Sequence, residues 1–174
     1  MQFESPTIVG ARAATLSDLG ELLRMYDELS EEQRAIRPIW PYSDGLAAPV
    51  AAALENLLER VDAIVAVGEI DGVVVGFLVG TEEPLLEPRG DESVGTVGLI
   101  FTDHAARGVG VGAAMLDLAM DRFDTRGIDR FDARVSPGHR LAKNFFESNG
   151  FKARSITMHR TDAAHAFGDH RPPT

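Results

Sequence analysis

The sequence predicts a mixed α/β domain built around one sheet, and three observations lead to this prediction. Strand and helix patterns follow one another in the order β-α-α-β-β-β-α-β-α-β. At 174 residues the chain is long enough for one domain with a substantial core. A glycine-rich turn over residues 107–112 joins an apolar strand to a long amphipathic helix. We expect a single domain over residues 1–160 and a loosely ordered tail over residues 161–174.

The N-terminal part of the chain begins with a short strand followed by two helices. Residues 8–14 have the pattern of the strand, and Asp18 or the serine before it caps a helix that extends to about residue 28. Residues 31–45 contain two prolines and are either a loop or a short broken helix. Leucine periodicity predicts the second helix over residues 46–60.

The middle of the chain reads as three strands. Residues 63–69 and 73–79 are strands joined by Asp-Gly, a dipeptide that favours a tight hairpin. Residues 81–91 are charged and contain two prolines, which indicates a loop or a hairpin tip. Residues 93–101 are nearly all apolar or glycine, as expected for a central strand buried on both faces.

The C-terminal part alternates helix and strand. A third helix is predicted over residues 111–126, with the next glycine as its C-cap. Residues 130–135 alternate as a strand, and Ser-Pro-Gly ends it. A helix over residues 139–149 is closed by another glycine, and residues 151–160 are predicted as the last strand.

Composition and charge limit the classes of function. The balance of 17 basic and 27 acidic residues gives a net charge of −10, which repels nucleic acid and anionic membranes and is compatible with a basic or amine substrate. The absence of cysteine excludes disulfides, thiolate metal sites and a cysteine nucleophile, and it fits a cytoplasmic protein. No secretory signal and no run of about 18 apolar residues is apparent, so no membrane span is expected.

The glycine-rich turn has the chemistry of an anion site. The first N–H groups of a helix have no intrahelical acceptor, and the helix dipole adds partial positive charge there. Glycines remove the Cβ atoms that would keep a phosphate away, and an arginine adds forked donors. The alternative is a flexible connection that allows close packing of helix and strand. The residues of this turn are Arg107, Gly108, Val109, Gly110, Val111 and Gly112.

Two common phosphate-binding motifs do not fit this turn. A Rossmann site needs G-x-G-x-x-G in an early βαβ unit, whereas here the spacing differs and the turn lies past the middle of the chain. A P-loop needs Gly-Lys-Ser/Thr, whereas Gly112 is followed by two alanines.

The turn resembles the acetyl-CoA signature of the GNAT N-acetyltransferase superfamily, Gln/Arg-x-x-Gly-x-Gly/Ala, at Arg107, Gly110 and Gly112. Downstream, LAKNFFESNGF at residues 141–151 is similar to the family block A-x-x-x-Tyr-Glu-x-x-Gly-Phe. The opening ARAATLSDLGELL is also similar to the first strand and helix of the family. Together the resemblances cover nearly the whole chain in the family's order.

The resemblance implies a GNAT-like fold, with a mostly antiparallel central sheet flanked by about four helices. The sheet is splayed in the middle, between the strand that ends near Thr102 and the strand over residues 130–135. The pantetheine arm of acetyl-CoA would lie in the splay and bond to the backbone of Ile100, Phe101 and Thr102. The pyrophosphate would lie on the N–H groups of the turn. A primary amine of a small molecule or peptide would attack the thioester directly, without an acyl-enzyme or a metal. A homodimer is also plausible by this resemblance.

Two residues depart from the family pattern. Many members carry asparagine where this chain has His139, and tyrosine where it has Phe146. That tyrosine often protonates the departing thiolate, and phenylalanine has no proton to give. His139 is predicted to contact the pantetheine or the amine, the alternative being a surface histidine at a helix N-terminus.

The sequence offers several weak candidates for the general base, namely Glu82, Glu83, Asp103 and His104. The central strand carries no glutamate, although the family often has one there. Each candidate is alternatively a solvated loop charge. Trp40 and Tyr42 are predicted to line the acceptor pocket, or Trp40 attaches its loop to the core. The missing tyrosine and glutamate motivate an alternative function, a GNAT-like domain that binds CoA or a partner without catalysis.

Overall fold

The structure, a computed structural model, describes residues 7–85 and 92–160 and contains a mixed sheet in the order β1-β2-β3-β4-β5. The pairs β1–β2, β2–β3 and β3–β4 are antiparallel, whereas β4 and β5 are parallel. The strands are Val9–Ala13, Ala63–Ile70, Val73–Pro84, Ser93–Thr102 and Phe131–Ala133. The sheet and its helices confirm the predicted fold class. The predicted tail, residues 161–174, lies outside the described residues.

Helices cover both faces of the sheet. Helices α1, α2 and α3 contribute to the core on one face, and α4 and α5 to the core on the other. Their bounds, from α1 to α5, are Leu19–Ile36, Trp40–Ser43, Val50–Glu59, Val111–Asp124 and Arg140–Ser148. In the two described ranges, no helix is both long and apolar enough to cross a membrane.

The two cores share the strands because alternate side chains point to opposite faces. On the α1 face, Phe77 and Phe101 pack with Leu22 and Met25 of α1. Buried side chains of the α4 face are Ile64, Ala66, Leu78, Val97, Met115, Leu116, Ala119 and Phe123. Packing on the α4 face is close, because a Cβ added at Gly95 would lie 2.6 Å from the Phe123 ring.

Pairing between β4 and β5 is short and leaves an opening. Three residue pairs form, from Gly95↔Phe131 to Val97↔Ala133, and the N–H of Arg134 then donates to the carbonyl of Val97 at 2.9 Å. Strand β4 continues to Thr102 beyond this point. We call the space between residues 98–102 and residues 134–136 the β4–β5 cleft. The opening therefore lies between the two strands for which the splay was predicted, and this is the last strand pair of the described sheet.

Helix α1 is longer than predicted. It continues to Ile36, so its predicted end near residue 28 was wrong, and residues 31–45 form the last part of α1 followed by the one-turn helix α2. The added segment, EEQRAI, consists mostly of good helix formers. The C-cap of the helix is Arg37, whose extended backbone is the conformation that the following proline favours. Proline also explains why α3 begins at Val50 and not at residue 46, since Pro49 is its N-cap.

Two strand predictions also need correction. Strand β3 extends to Pro84 and pairs with β4, so the hairpin-tip interpretation of residues 81–91 is the one that fits the described part. The predicted last strand over residues 151–160 is wrong, because these residues have no regular structure. Strand β5 offers only three residues for pairing, and most of the segment is exposed. Phe151 packs on Phe146, and Arg154 forms an ion pair with Asp132 of β5 through its side chain.

Candidate functional site

The glycine turn at the start of α4 has the geometry of an anion site. Gly108 and Gly110 have φ of 83° and 102°, a left-handed conformation that favours glycine. A Cβ added at either position would meet no atom within 4 Å, so the space above the turn is open. The first intrahelical bond joins the N–H of Ala114 to the carbonyl of Gly110. The N–H groups of Val111 and Gly112 precede it and have no intrahelical acceptor.

Gly112 has a different function in the structure. A Cβ at this position would lie 3.1 Å from the ring of Phe145, so the absent side chain allows α4 and α5 to pack closely. Gly112 therefore contributes its N–H to the turn, while Gly108 and Gly110 keep the space above it open.

The side chain of Arg107 already has partners within the protein. Its Nε donates to the carbonyl of Thr102 at 2.8 Å, and a terminal nitrogen donates to Glu32 at 2.7 Å. The guanidinium also lies over the Phe101 ring, 5.5 Å from its centroid. We infer that this arginine stabilises the end of β4, and that the anion site depends on backbone N–H groups.

The end of β4 presents backbone groups to the β4–β5 cleft. Hydrogen bonds along an antiparallel strand alternate between its two sides. The N–H of Asp103 donates to Val75 of β3, so Phe101 also faces β3, whereas Ile100 and Thr102 face the cleft. Of the three residues predicted to bond pantetheine, Ile100 and Thr102 have backbone groups that face the cleft, and the Thr102 carbonyl already accepts a hydrogen bond from Arg107. The Phe101 side chain is part of the core on the α1 face.

The C-terminal part of α1 contacts both sides of the cleft. On the β4 side, Glu32 accepts a hydrogen bond from Arg107 and lies within ion-pair distance of Nε2 of His104, each at 2.7 Å. On the β5 side, Gln33 accepts a hydrogen bond from the Ser136 hydroxyl at 2.7 Å. Gln33 and Ser136 are both buried. Successive residues of one helix thus connect the two strands where their own pairing has ended.

His139 lies next to this network at the N-terminus of α5. Its Nδ1 is 3.1 Å from the amide nitrogen of Gln33, whose amide oxygen is bound to Ser136. With the amide in this orientation its nitrogen donates, so Nδ1 accepts and the neutral imidazole carries its proton on Nε2. Burial lowers the pKa of His139; the Glu32 carboxylate opposes this shift and the Arg107 cation adds to it. The half-buried side chain is therefore neutral near pH 7.

Phe146 is placed in the core and not in an open site. Its side chain is buried, and its ring packs edge-on against Phe145 and Phe151 at centroid distances of 5.1 and 5.2 Å. The family tyrosine position is thus occupied by an apolar side chain that completes the core on the α4 face.

Three of the four predicted general bases are held in ion pairs. Asp103 is bound by both terminal nitrogens of Arg24, and Glu83 accepts two hydrogen bonds from Arg134. His104 is mostly exposed and is paired with Glu32, as described above. Among the described residues, Glu82 has no side-chain hydrogen bond or ion pair. It lies opposite Gly95, whereas Thr102 lies opposite Gly76 near the other end of β3.

The two residues predicted to line the acceptor pocket have different surroundings. Trp40 is 4% exposed and packs against Tyr26, so the structure favours its interpretation as an attachment to the core. Tyr42 is 79% exposed. No group of three or more potential metal ligands occurs in the part of the chain that the structure describes.

Sequence reasoning missed Glu32, Gln33 and Ser136. A signal for Gln33 was present, because it continues the buried positions Leu22, Tyr26 and Leu29 by one further turn. A polar residue on the core face of a helix needs a buried partner. The signal was lost because the helix was predicted to end before it.

Comparison with known proteins assigns the family. The model of the acetyltransferase (GNAT) family matches residues 22–151, a span that contains the glycine turn, the β4–β5 cleft and α5. The chain belongs to the GNAT acetyltransferase family. It is therefore an acyl-CoA-dependent acetyltransferase, and the acetyl-CoA resemblance of the sequence is confirmed at the level of the family.

Solved structures share the GNAT fold. A transcriptional regulator from Bacillus halodurans C-125 is 26% identical, with a TM-score of 0.69 over 88% of this chain and 100% of its own. An aminoglycoside N-acetyltransferase in complex with CoA is 15% identical, with a TM-score of 0.70 over 93% and 99%. A ribosomal-protein-alanine N-acetyltransferase from Brucella melitensis biovar Abortus 2308 is 20% identical, with a TM-score of 0.65 over 89% and 100%. Among curated protein sequences, none matches this chain significantly.

Proposed function

We propose that this GNAT protein transfers an acetyl group from acetyl-CoA to a primary amine of a small molecule or peptide by direct attack. The observation that carries the proposal is the β4–β5 cleft, which leads to an open glycine turn at the N-terminus of α4. A cleft lined by strand backbone that bonds to no neighbouring strand suits the amide groups of pantetheine, and the turn suits its pyrophosphate.

The cofactor would be held mainly by backbone groups. Ile100 and Thr102 would bond the pantetheine arm. The pyrophosphate would lie on the turn over residues 108–112, where Gly108 and Gly110 leave room for it. Backbone donors fixed in a strand and a helix end lose little freedom on binding, which favours affinity and a reproducible thioester position.

Amine acceptors of two kinds are compatible with the proposal. Similar folds include one protein named for aminoglycosides and one named for a ribosomal-protein alanine. The net charge of −10 attracts cationic amines over a distance and favours their encounter with the protein. The exposed Tyr42, in the segment between α1 and α3, is the aromatic side chain we propose for acceptor contact. A homodimer and a cytoplasmic location stay predictions.

Ion pairing changes how the four base candidates compare. Asp103 and Glu83 would each lose the charge that binds an arginine on accepting a proton, and His104 is in an ion pair with Glu32 only when it already carries the proton. Glu82 has no such partner among the described residues, and we propose it as the first candidate to substitute among the four. A free amine that arrives already deprotonated would need no base for attack.

The test combines binding and turnover. Isothermal titration of the protein with acetyl-CoA should show saturable binding, and thiol release should appear with an aminoglycoside, a polyamine or a peptide with N-terminal alanine. A tertiary amine of similar charge is the control, because it has no N–H to lose on acylation. Lack of acetyl-CoA binding at millimolar concentration would remove the proposal. Binding without thiol release from any primary amine would instead favour a CoA-binding domain without catalysis.

A further inference from the structure

The side-chain network Ser136–Gln33–His139 favours one imidazole tautomer beside the β4–β5 cleft. Ser136 and Gln33 are buried, and in their hydrogen bond of 2.7 Å the hydroxyl donates to the amide oxygen. The amide nitrogen then donates to Nδ1 of His139. The imidazole can accept that bond only if its own proton is on Nε2.

The Nε2–H group of His139 is available to a ligand. Among the described residues it has no hydrogen-bond partner, while Nδ1 has one. The imidazole is half-buried and follows the Ser136 turn at the β5 side of the cleft. It also interacts electrostatically with Glu32 and Arg107, which bind the β4 side. The imidazole is thus close to residues that contact both sides of the opening.

We propose that Nε2–H of His139 donates a hydrogen bond to the sulfur of CoA as the thiolate leaves. This proposal rests on the proposed function, because it assigns a residue to the same reaction. It supplies the donor that the buried Phe146 lacks, and His139 lies on the same helix as that residue, at its other end.

The step balances without a further reagent. The amine nitrogen forms a bond to the carbonyl carbon, and the carbonyl electron pair moves to oxygen. When the intermediate collapses, the C–S bond breaks and its electron pair stays on sulfur. The proton lost by nitrogen passes to water. His139 keeps its own proton and stabilises the thiolate by a charge-assisted hydrogen bond.

The neutral state of His139 suits this function. Burial and the Arg107 cation lower its pKa, and Glu32 on α1 raises it by a smaller amount than burial lowers it. A neutral imidazole keeps one fixed donor direction over the neutral pH range. Gln33 and Ser136 are positioning residues, since they act only through the tautomer of His139.

The first test measures the thiol pKa of bound CoA by the ultraviolet absorbance of the thiolate. In the wild-type complex it should lie about one unit or more below that of free CoA. His139→Met should restore the free value, and His139→Gln, which keeps an amide N–H near the place of Nε2, should retain most of the shift. Equal thiol pKa values in the wild type and His139→Met would overturn the proposal.

Kinetics and the tautomer give independent readouts. His139→Met should lower kcat about tenfold to a hundredfold while the Kd of acetyl-CoA stays within about threefold, and His139→Gln should recover most of kcat. Nitrogen NMR should show His139 as the neutral Nε2–H tautomer, and Gln33→Met should populate the other tautomer. A wild-type Nδ1–H tautomer would overturn the proposal. Absence of CoA binding by the wild type would remove the proposed function instead.

Discussion

Gly110 combines two physical requirements in one residue. Its φ of 102° disfavours any side chain, and its missing Cβ leaves open the volume that the pyrophosphate would occupy. The first requirement concerns stability and the second concerns binding, so the two can be separated by experiment.

We predict that Gly110→Ala lowers acetyl-CoA affinity by about tenfold or more, because the new methyl group enters the phosphate volume. The matched control is Gly127→Ala, which has a similar strain at φ 79° but lies past the other end of α4. Both variants should lose about 1 kcal/mol of stability, and only Gly110→Ala should lose affinity. Titration calorimetry and urea unfolding check this. Equal loss of affinity in both variants would contradict the assignment of the turn.

At the residue scale, the sequence identified positions better than it identified side-chain partners. The glycines of the turn could be predicted, because a left-handed backbone and an open helix end depend on local chemistry. The partner of Arg107 could not be predicted, since Glu32 lies 75 residues away in the sequence. The sequence predicts the Arg107 guanidinium as a phosphate ligand, whereas in the structure it binds Thr102 and Glu32 of the protein itself.

Among the elements, β1 is joined to the start of α1 by an ion pair whose carboxylate is buried. Asp18 is 6% exposed and accepts two hydrogen bonds from Arg12 of β1 and one from the N–H of Thr15, each at 2.8 Å. The Arg12 guanidinium, and secondarily the Thr15 N–H, lower the pKa of Asp18 from 3.8 to about 2.

Replacing Asp18 by Asn should therefore destabilise the protein in a pH-dependent way. A carboxyl whose pKa is lower in the folded state stabilises above its unfolded pKa, and the stabilisation is lost as pH falls from about 4 to about 2. We expect Asp18→Asn to lower the free energy of unfolding by about 2 kcal/mol at pH 7 and by much less near pH 2. Urea unfolding at both pH values measures this. The exposed Asp129→Asn is the control, and a pH-independent difference would contradict the prediction.

The backbone alternation in β4 leads to a prediction for hydrogen exchange. The N–H of Ile100 faces the β4–β5 cleft, while that of Leu99 faces β3. Binding of CoA should slow exchange at Ile100 by about tenfold or more and leave Leu99 nearly unchanged, because only the first N–H gains an acceptor. Exchange followed by NMR would test this. Equal slowing of exchange at Ile100 and Leu99 would contradict the prediction, because the cofactor would then stabilise the whole strand and not bond to one N–H group.

At the scale of elements, local signals predicted the starts of α1, α4 and α5 closely, whereas the start of α3 and the end of α1 were wrong. The Asp-Gly hairpin and the helix after the glycine turn are where their turn residues indicated. Helix α1 continued through a charged segment because nothing in EEQRAI stops a helix before Pro38. That extension places Glu32 and Gln33 at the cleft, so an error in one helix end concealed part of the site.

For the whole molecule, ligand binding should appear as a gain in stability. A ligand that binds only the folded state at about 100 times its Kd adds about 2.7 kcal/mol. For a chain of this size we expect a rise in Tm of roughly 5–10 °C with CoA. Differential scanning fluorimetry checks this, with Gly110→Ala at the same CoA concentration as control. An unchanged Tm in the wild type would contradict CoA binding.

The fold class could be predicted because element order and turn chemistry are both local signals. The last strand could not, since residues 151–160 alternate well enough for a strand but lack a long neighbouring strand to pair with. Pairing partners depend on tertiary structure, which periodicity does not report. The acceptor pocket is equally hard to predict, because its residues come from distant segments.

The residues that meet at the cleft are far apart in the sequence, and this distance affects the order in which the protein folds. Strands β2, β3 and β4 follow one another closely in the sequence and pair in that order, while the bond between Gln33 and Ser136 closes a loop of 103 residues. Closing a longer loop costs more chain entropy, and contacts between near neighbours in sequence form faster. We therefore expect these three strands to assemble early and the contact between α1 and Ser136 to form late. Cofactor binding would then report completed folding more strictly than the helical signal of circular dichroism does.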